Sequence, residues 1–277
     1  MTTRFAGKVA LVTGTARRRS IGRTTALRLA AEGADVACLD VARPPAHAPT
    51  HGVGSADELS ELIAEIEGMG RRALRLEADV RDWDAMHAAV DQTVAELGGL
   101  DFCCAMAGGV GFGNGIASIL KLSEPEWDWV LDVNLKGVFI TARAAAAAMV
   151  KGGRGGRIVT IASAAALPGA NGTTGMASYA AAKAGVIVLT QNLAAELGRY
   201  GITANAISPG MIHTHASQPV RDRLAEKGQT ESWLKSIPLQ RIAEPEEIAS
   251  VAAFLCSDDA SFVTGTAVNA TGGQTLG

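Results

Sequence analysis

Short apolar runs alternate along the chain with longer segments in which apolar residues recur every three or four positions. The first run, residues 8–13 (KVALVT), is followed by a helical pattern in which Ala26, Leu27, Ala30 and Ala31 share one side. A run of four to eight apolar residues between turn signals is typical of a buried strand, and the longer period is typical of a helix. We therefore predict strands over residues 8–13, 35–40, 72–78, 100–105, 157–162, 203–207 and 267–269. We predict helices over about 22–32, from Ser55 or Asp57 to Gly68, from Asp82 onward, over 123–150, around Tyr179 and over about 245–256.

Repeated alternation of strand and helix predicts an α/β protein with a doubly wound parallel sheet of about seven strands and helices on both faces. Strands buried on both sides read as nearly continuous apolar runs, as these do. No composition break marks a second domain, so residues 1–277 are expected to form one domain. Two stretches are predicted to be mobile loops, 169–175 and 211–240, and the second is expected to cover the substrate.

Composition narrows the class of partner. Apolar residues make up 48% of the 277 residues and aromatic residues only 4%, so the core is expected to be aliphatic. A net charge of −3 gives no reason to expect nucleic acid or a membrane as a partner. No signal peptide pattern and no uncharged run of membrane-spanning length is present, and the four cysteines lack metal-binding spacing. We expect a cytoplasmic protein with buried free thiols and no bound metal.

Candidate chemistry centres on Tyr179 and Lys183. Their spacing of four residues places both side chains on one face of a helix, and Ser163 lies 16 residues before the tyrosine. An adjacent ammonium favours the phenolate and is expected to lower the phenol's pKa from its ordinary value of about 10. A tyrosine with a lowered pKa can exchange a proton with an alcohol or ketone oxygen near neutral pH.

The turn after the first strand has the character of a phosphate-binding loop. Gly14 begins the segment TGTARRRSIG, which leads into a helix, and glycine lets the backbone approach a pyrophosphate at the helix N-terminus. The three arginines at 17–19 stand where phosphate charge would lie, although they could equally form a solvated turn. The GxGxxG fingerprint is absent, so this turn alone is a weak signal.

Asp40 closes the second strand, 26 residues after Gly14. An acid at that position can accept hydrogen bonds from both ribose hydroxyls and repels a 2′-phosphate, which favours NAD over NADP. The arginine run and Arg43 argue in the opposite direction, since they could hold a 2′-phosphate. Because its position is fixed by the strand end, Asp40 is given more weight, and NADP is the alternative.

An ordered set of positions spans nearly the whole chain: Thr13-Gly14, Asp40, Asp79-Val80, Ala107-Gly108, Asn134, Ser163, Tyr179, Lys183, Pro209-Gly210 and Thr214. In these residues and in their order the chain resembles the short-chain dehydrogenase/reductase family. The resemblance implies a Rossmann-type fold, hydride transfer to or from a nicotinamide cofactor, and a homotetramer. Tyr-x-x-x-Lys alone is common by chance, whereas the ordered set is specific.

The resemblance also implies a role for each position. Tyr179 would be the general acid/base, Lys183 would lower its pKa and hold the nicotinamide ribose, and Ser163 would hydrogen-bond the substrate oxygen. Asn134 would hold a water that links Lys183 to solvent. The cofactor would be bound by Gly14, Arg19, Ser20, Ile21, Asp40, Asp79, Val80, Ala107, Gly108, Tyr179, Lys183, Pro209, Gly210, Ile212 and Thr214.

Three departures from the family pattern matter. The glycine loop is longer than usual and has Ser20 in place of the middle glycine, which is similar to the divergent enoyl-acyl-carrier reductases. Those enzymes space tyrosine and lysine six or seven apart, so the spacing of four here favours carbonyl chemistry. Met106 replaces an asparagine that usually ties the central strands, which puts local sheet stability in question. The gap between Ser163 and Tyr179 is also longer than usual, and residues 171–176 are expected to bulge beside the substrate.

The sequence therefore predicts an NAD-dependent oxidoreductase that acts on a secondary alcohol or ketone. An enoyl-thioester reductase is the second hypothesis, and a non-catalytic nucleotide sensor is the third. The substrate pocket is expected from residues 109–118, 164–176 and the loop after Gly210, with no cluster of arginine or lysine facing it, so a multiply charged substrate is not expected. His213 and His215 are expected on the surface of the covering loop, without a metal.

Overall fold

The computed structural model describes residues 3–43, 52–111, 118–167 and 175–275. Their centre is a parallel seven-stranded sheet with the order β3-β2-β1-β4-β5-β6-β7. The strands are β1 Val9–Thr13, β2 Asp35–Asp40, β3 Ala73–Glu77, β4 Phe102–Ala105, β5 Gly156–Ile161, β6 Ile202–Pro209 and β7 Ala267–Ala270. Every neighbouring pair is parallel, beginning with Val9 opposite Asp35 in β1 and β2. The predicted fold class is confirmed, and strand ends differ from the prediction by at most two residues.

The helices form a layer on each face of the sheet. They are α1 Ile21–Ala31, α2 Ala56–Gly68, α3 Trp83–Leu97, α4 Glu124–Leu131, α5 Gly137–Gly152, α6 Ala177–Leu197, α7 Gln218–Glu226, α8 Thr230–Lys235 and α9 Pro245–Cys256. Helices α1, α2 and α9 bury their apolar sides on one face, while α3, α5 and α6 cover the other. The sheet interior is aliphatic, as its composition predicted, with Leu11, Leu39 and Ile158 fully buried.

Local signals explain where several helices begin. The Ser55 hydroxyl accepts a hydrogen bond from the Glu58 amide while the Glu58 carboxylate accepts one from the Ser55 amide, which forms a capping box. Asp82 caps α3 through the Ala85 amide at 3.0 Å. Both caps were among the predicted start signals, and each satisfies an amide that the helix itself leaves without a partner.

The predicted helix over 123–150 is interrupted. A π-helical turn over Asp132–Lys136 joins α4 to α5, and Asn134 lies within it. Such turns displace the backbone by one residue and are frequent at functional sites. The whole stretch Glu124–Gly152 is long and apolar enough to cross a membrane by length and composition, but a buried core helix passes the same test, and 56% of its most apolar window is buried here. In this fold α5 packs on the sheet beside α3.

The segment 211–240, predicted to be a loop, contains the two helices α7 and α8, so that prediction is wrong in its detail. The segment is closed at its base, where Ile212 bridges to Ala243 and the His213 amide donates to the Ala243 carbonyl at 2.8 Å. Residues 211–243 therefore form a segment whose two ends are joined, called the lid below. The other predicted loop, 169–175, and the predicted bulge over 171–176 lie largely outside the described residues.

The ends of β1 and β4 are tied by a hydroxyl. The Thr13 hydroxyl accepts hydrogen bonds from the amides of Met106 and Ala107, both at 3.1 Å. Thr13 thus joins the two central strands at the position where Met106 replaces the family's asparagine. All four cysteines are buried and free, as expected, and burial raises the pKa of Cys103 to about 12.

Candidate active site

A cavity of about 720 Å³ opens above the carboxyl ends of the strands, where β2 and β4 diverge on either side of β1. In a doubly wound sheet this switch point is the expected place for a ligand. The cavity brings together sixteen of the seventeen predicted site residues: Gly14, Arg19, Ser20, Ile21, Asp40, Asp79, Val80, Ala107, Gly108, Ser163, Tyr179, Lys183, Pro209, Gly210, Ile212 and Thr214. Asn134 does not line it and is fully buried beneath it.

Helix α6 and the end of β5 supply the candidate proton-transfer groups. Tyr179 is half-buried in the first turn of α6 and packs against Trp129, Val130 and Ala182. Ser163 follows β5, and its oxygen accepts a hydrogen bond from the Ala165 amide at 3.1 Å. That bond fixes the Ser163 hydroxyl beside Tyr179, with which it also shares a hydrogen bond.

Lys183 lies one turn after Tyr179 and is only 2% exposed. Its ammonium donates a hydrogen bond to the Ile161 carbonyl at 2.9 Å and lies 5.6 Å from the centre of the Tyr179 ring. Both side chains therefore share a face and a cavity, as the spacing predicted. The Ile161 carbonyl, at the end of β5, thus holds the Lys183 ammonium in place at the floor of the cavity.

The electrostatic expectation for this pair needs correction. Burial raises the pKa of Tyr179, and only the hydrogen bond with Ser163 acts in the opposite direction. Burial also lowers the pKa of Lys183 to about 7. The ammonium was expected to lower the phenol's pKa, but a lysine that is itself half-protonated near neutral pH supplies less positive charge. In the protein alone, the effect of burial on the pKa of Tyr179 outweighs the effect of the nearby Lys183.

Asn134 reaches the cavity wall from below. Its amide nitrogen donates to the carbonyls of Gly109 at 2.8 Å and Val130 at 2.9 Å, and its amide oxygen accepts from the Gly109 amide at 3.1 Å. Both N–H groups of the side chain are therefore engaged, and one lone pair of the oxygen remains available. In this structure Asn134 fixes the loop after β4; its predicted role of holding a water stays a prediction.

Gly108 lies where that loop passes closest to the lysine. A Cβ at this position would be 2.8 Å from the Asn134 amide oxygen and 3.3 Å from the Lys183 ammonium. The first distance is shorter than real side-chain contacts allow, so only glycine leaves this part of the cavity open.

The nucleotide end is built around α1. Gly14 has a φ of +73°, and a Cβ on it would lie 2.9 Å from the Ala107 backbone. Ser20 caps α1: its hydroxyl accepts from the Arg23 amide at 3.1 Å and donates to the Gly14 carbonyl at 3.2 Å. The amides at the start of α1 thus face the cavity, which suits a pyrophosphate group. Ser20 stabilises the longer loop that replaces the family's glycine turn.

The three consecutive arginines have different surroundings. Arg17 and Arg19 line the cavity. Arg18 points outward and forms a two-point ion pair with Glu61, at 3.0 and 2.6 Å. The hypothesis of a phosphate-facing run therefore applies to two residues of three. Arg19 also contacts the lid, with its guanidinium 2.7 Å from His213 Nδ1 and 3.3 Å from Glu244.

Two aspartates line the cavity beside the nucleotide end. The Asp40 carboxylate accepts a hydrogen bond from the Ala16 amide at 2.9 Å, and burial raises its pKa. Asp79 is bound by Arg81 through bonds of 2.6–3.1 Å; burial raises its pKa, but the Arg81 bonds prevail and the net shift is downward. Arg43, the possible partner of a 2′-phosphate, is exposed and does not line the cavity.

The lid side of the cavity contains residues that the sequence analysis missed. Helix α7 contributes Val220, Arg223 and Leu224, Lys227 follows at its C-terminal end, and α8 contributes Trp233. The expectation that no arginine or lysine cluster faces the substrate region is therefore wrong. The signal was present in the spacing of 220, 223, 224 and 227, which is one face of a helix, but it was hidden because the segment was interpreted as a loop.

The predicted substrate pocket is present in part. Gly109, Val110, Ala164 and Met176 line the cavity where they were expected, while residues 112–117 and 168–174 lie outside the described part of the chain. His213 belongs to the base of the lid, where it contacts Glu244 at 3.1 Å. Within the described residues, no group of three or more His, Cys, Asp or Glu is arranged to hold a metal.

A parallel doubly wound sheet with a glycine turn, a helix N-terminus and an aspartate at one cavity is typical of dinucleotide-binding proteins. Similarity to known proteins gives the family. A family model described as "Enoyl-(Acyl carrier protein) reductase" matches residues 14–275. A short-chain type dehydrogenase/reductase of Mycolicibacterium smegmatis is 37% identical over 100% of both chains. The chain belongs to the short-chain dehydrogenase/reductase family.

Further relatives bear on cofactor and substrate. The (2S)-[(R)-hydroxy(phenyl)methyl]succinyl-CoA dehydrogenase subunit BbsD of Thauera aromatica is 39% identical over 97% of each chain. An uncharacterized NAD-dependent oxidoreductase of Mycobacterium tuberculosis is 35% identical, over 95% of this chain and 94% of the relative.

Solved structures give the same fold with NAD. Carveol dehydrogenase from Mycobacterium avium, in complex with NAD, superposes with a TM-score of 0.89 at 32% identity over 98% of both chains. A short chain dehydrogenase from Mycobacterium paratuberculosis bound to NAD superposes with a TM-score of 0.84 at 33% identity over 98% of both. Both of these neighbours bind NAD, the cofactor that Asp40 predicts, and the glycine cradle at Gly14 with the open start of α1 fits a dinucleotide.

Proposed function

We propose that this protein transfers a hydride between NAD and a secondary alcohol or ketone, with Tyr179 as the general acid/base. The observation that carries the proposal is the placement of Ser163, Tyr179 and Lys183 in the same cavity as the dinucleotide-binding turn. NAD, when bound, supplies the hydride acceptor. Two relatives support the substrate class, since the hydroxy(phenyl)methyl group named for BbsD and the substrate of carveol dehydrogenase are secondary alcohols.

Each side chain has a task in alcohol oxidation. Ser163 donates a hydrogen bond to the substrate oxygen, because its own oxygen is already oriented by the Ala165 amide. Tyr179 takes the hydroxyl proton, which requires its phenolate form; the positive charge of bound NAD would favour that form, against the effect of burial in the protein alone. Lys183, next to Tyr179, holds the nicotinamide ribose. Acid/base help of this kind contributes roughly 10²–10⁴-fold in rate. In the reductive direction Tyr179 returns the proton.

Reduction of an enoyl thioester is the second candidate, and the observations that favour it are the longer loop with Ser20 and the description of the matching family model. Ser20, however, has a structural reason to be present, because it caps α1 and bonds the Gly14 carbonyl. The Tyr179–Lys183 spacing supports carbonyl chemistry instead.

A substrate screen separates the candidates. The purified protein is assayed at 340 nm with secondary alcohols and NAD, with ketones and NADH, and with crotonyl thioester and NADH. Turnover of alcohols or ketones without crotonyl reduction supports the proposal. Crotonyl reduction alone would favour the enoyl reductase. Dinucleotide binding without turnover of any compound would favour the nucleotide sensor.

We also propose a cytoplasmic homotetramer without a nucleic acid or membrane partner. Helices α5 and α6 each expose a large apolar side chain, Phe139 at 41% and Val188 at 56%, among alanines that permit close helix approach. Phe262, before the edge strand β7, is fully exposed. Light scattering should give four times the mass of the 28.4 kDa chain; a monomer would contradict this proposal.

A further inference from the structure

The lid presents two positive side chains to the cavity. Arg223 lies in α7 and Lys227 directly follows it, on the side of the helix that also carries Val220 and Leu224, and all four residues line the cavity. Residues three and four apart share one side of a helix. The apolar side chains of Val220 and Leu224 and the charged side chains of Arg223 and Lys227 therefore face the cavity together. The cations thus border the part of the cavity that the lid closes.

The pairing of the lid's other cations sets these two apart. Arg221 donates to the Thr214 carbonyl at 3.1 Å, Lys235 pairs with Glu231 at 2.7 Å, and Arg241 pairs with Glu247 at 2.6 Å. None of these three lines the cavity. The side chains of Arg223 and Lys227 form no hydrogen bond or ion pair with any residue that the structure describes.

No carboxylate of the described chain balances them inside the cavity. The acidic residues that line it are Asp40 and Asp79, both at the nucleotide end, where Asp79 is held by Arg81. The acids of α7 lie off its cavity face, and Asp222 there accepts a hydrogen bond from Gln218 at 2.6 Å. The lid therefore offers two adjacent positive charges without a protein counter-charge.

We propose that Arg223 and Lys227 bind an anionic group on the substrate, so that the natural substrate is a secondary alcohol or ketone with a carboxylate- or phosphate-bearing tail. This inference rests on the function proposed above. Trp233 and Leu224 provide an apolar wall for the carbon chain between the reacting carbon and the anion. Both cations are exposed, so their contribution is screened by salt and acts on substrate capture, which means on KM more than on kcat.

Matched substrate pairs test the proposal. One series consists of straight-chain alcohols with a carboxylate at one end, a secondary hydroxyl near the other and one to six methylenes between, each paired with its methyl ester. A second pair is a 3-hydroxyacyl-CoA and its N-acetylcysteamine thioester, which lacks the phosphates. We expect higher kcat/KM for the charged member of at least one pair, and this advantage should shrink as salt is added. The pair in which the charged member has the higher kcat/KM shows whether the two cations bind a carboxylate or a phosphate.

Two variants and one control locate the effect. Arg223→Met and Lys227→Met should each raise KM about threefold to fivefold for the charged member and leave its neutral partner unchanged, as the loss of one exposed ionic contact implies. Lys235→Met, which removes a lid cation already paired with Glu231, should change neither. The Kd for NADH, followed by quenching of tryptophan fluorescence, should be unchanged in all three.

Several results would overturn the inference. Equal losses on charged and neutral partners would assign α7 a purely structural role. A raised Kd for NADH without loss of charge discrimination would mean that the two cations serve the cofactor phosphates. Wild-type turnover of neutral alcohols with no charged pair preferred would refute the anion site while leaving the proposed function intact. Absence of any alcohol or ketone turnover would refute both.

Discussion

Lys183 should make the stability of this protein depend on pH. Its pKa falls from 10.5 to about 7 because the fold buries it, so the unfolded chain binds a proton more readily than the folded one. Between these two values the unfolded state holds more protons, and the free energy of unfolding therefore rises with pH. A shift of this size corresponds to about 5 kcal/mol at 1.36 kcal/mol per pKa unit, of which about 2 kcal/mol would appear between pH 7 and pH 9.

The perturbation is Lys183→Met, which keeps an unbranched chain of similar length and removes the titrating group. Urea unfolding of wild type and variant at a series of pH values gives the free energy of unfolding at each. The difference between the two proteins isolates Lys183, since cysteines and Tyr179 titrate in both. We expect wild-type stability to rise by about 2 kcal/mol relative to the variant across that window.

A control variant and a refuting result complete the experiment. Lys235→Met removes an exposed lysine and should leave the pH dependence of wild type unchanged, because that side chain is 67% exposed. If wild type and Lys183→Met show parallel pH curves, Lys183 keeps its ordinary pKa in the folded protein. The account of a desolvated lysine beneath the cavity would then be wrong.

Two further predictions concern the cavity walls. Gly108→Ala should weaken NADH binding and lower turnover at least tenfold, because the added Cβ would lie 2.8 Å from the Asn134 oxygen and overpacking costs about 1–3 kcal/mol. The control is Gly68→Ala, which has no atom within 4 Å of its added Cβ and should be neutral or stabilising in thermal unfolding. Asp40→Ser should raise the use of NADP relative to NAD by at least tenfold in kcat/KM, since it removes the carboxylate that repels a 2′-phosphate; an unchanged ratio would mean that Asp40 does not select the cofactor.

The order of strands and helices could be predicted because each carries its own local signal. The run DVACLD reads as a buried strand, and it forms β2 with the predicted ends. Ser55 and Asp82 mark their helices through hydrogen bonds to amides three residues ahead, which depend only on nearby sequence. The candidate site followed from ordered single residues, since the carboxyl ends of the strands bring them to one cavity.

The features that were missed depend on distant parts of the chain. The direction of the Tyr179 pKa shift is set by burial, which requires the whole fold to be known. The π-helical turn interrupts a continuous helical pattern, and Asn134 within it is hydrogen-bonded to Gly109, 25 residues earlier in the chain. Helix α7 was hidden by its polar composition, although Val220 and Leu224 keep helical spacing. Its two cavity-facing cations could be separated from the paired ones only in three dimensions.

The role of Tyr179 is tested most directly by single-turnover hydride transfer in Tyr179→Phe. Wild type and variant are saturated with NAD and mixed with an alcohol substrate, and reduced cofactor is followed at 340 nm alongside the Kd for NADH. The account predicts that the variant binds NADH as wild type does, while its transfer rate falls by at least about 10²-fold. An unchanged transfer rate in Tyr179→Phe would contradict proton transfer by this residue.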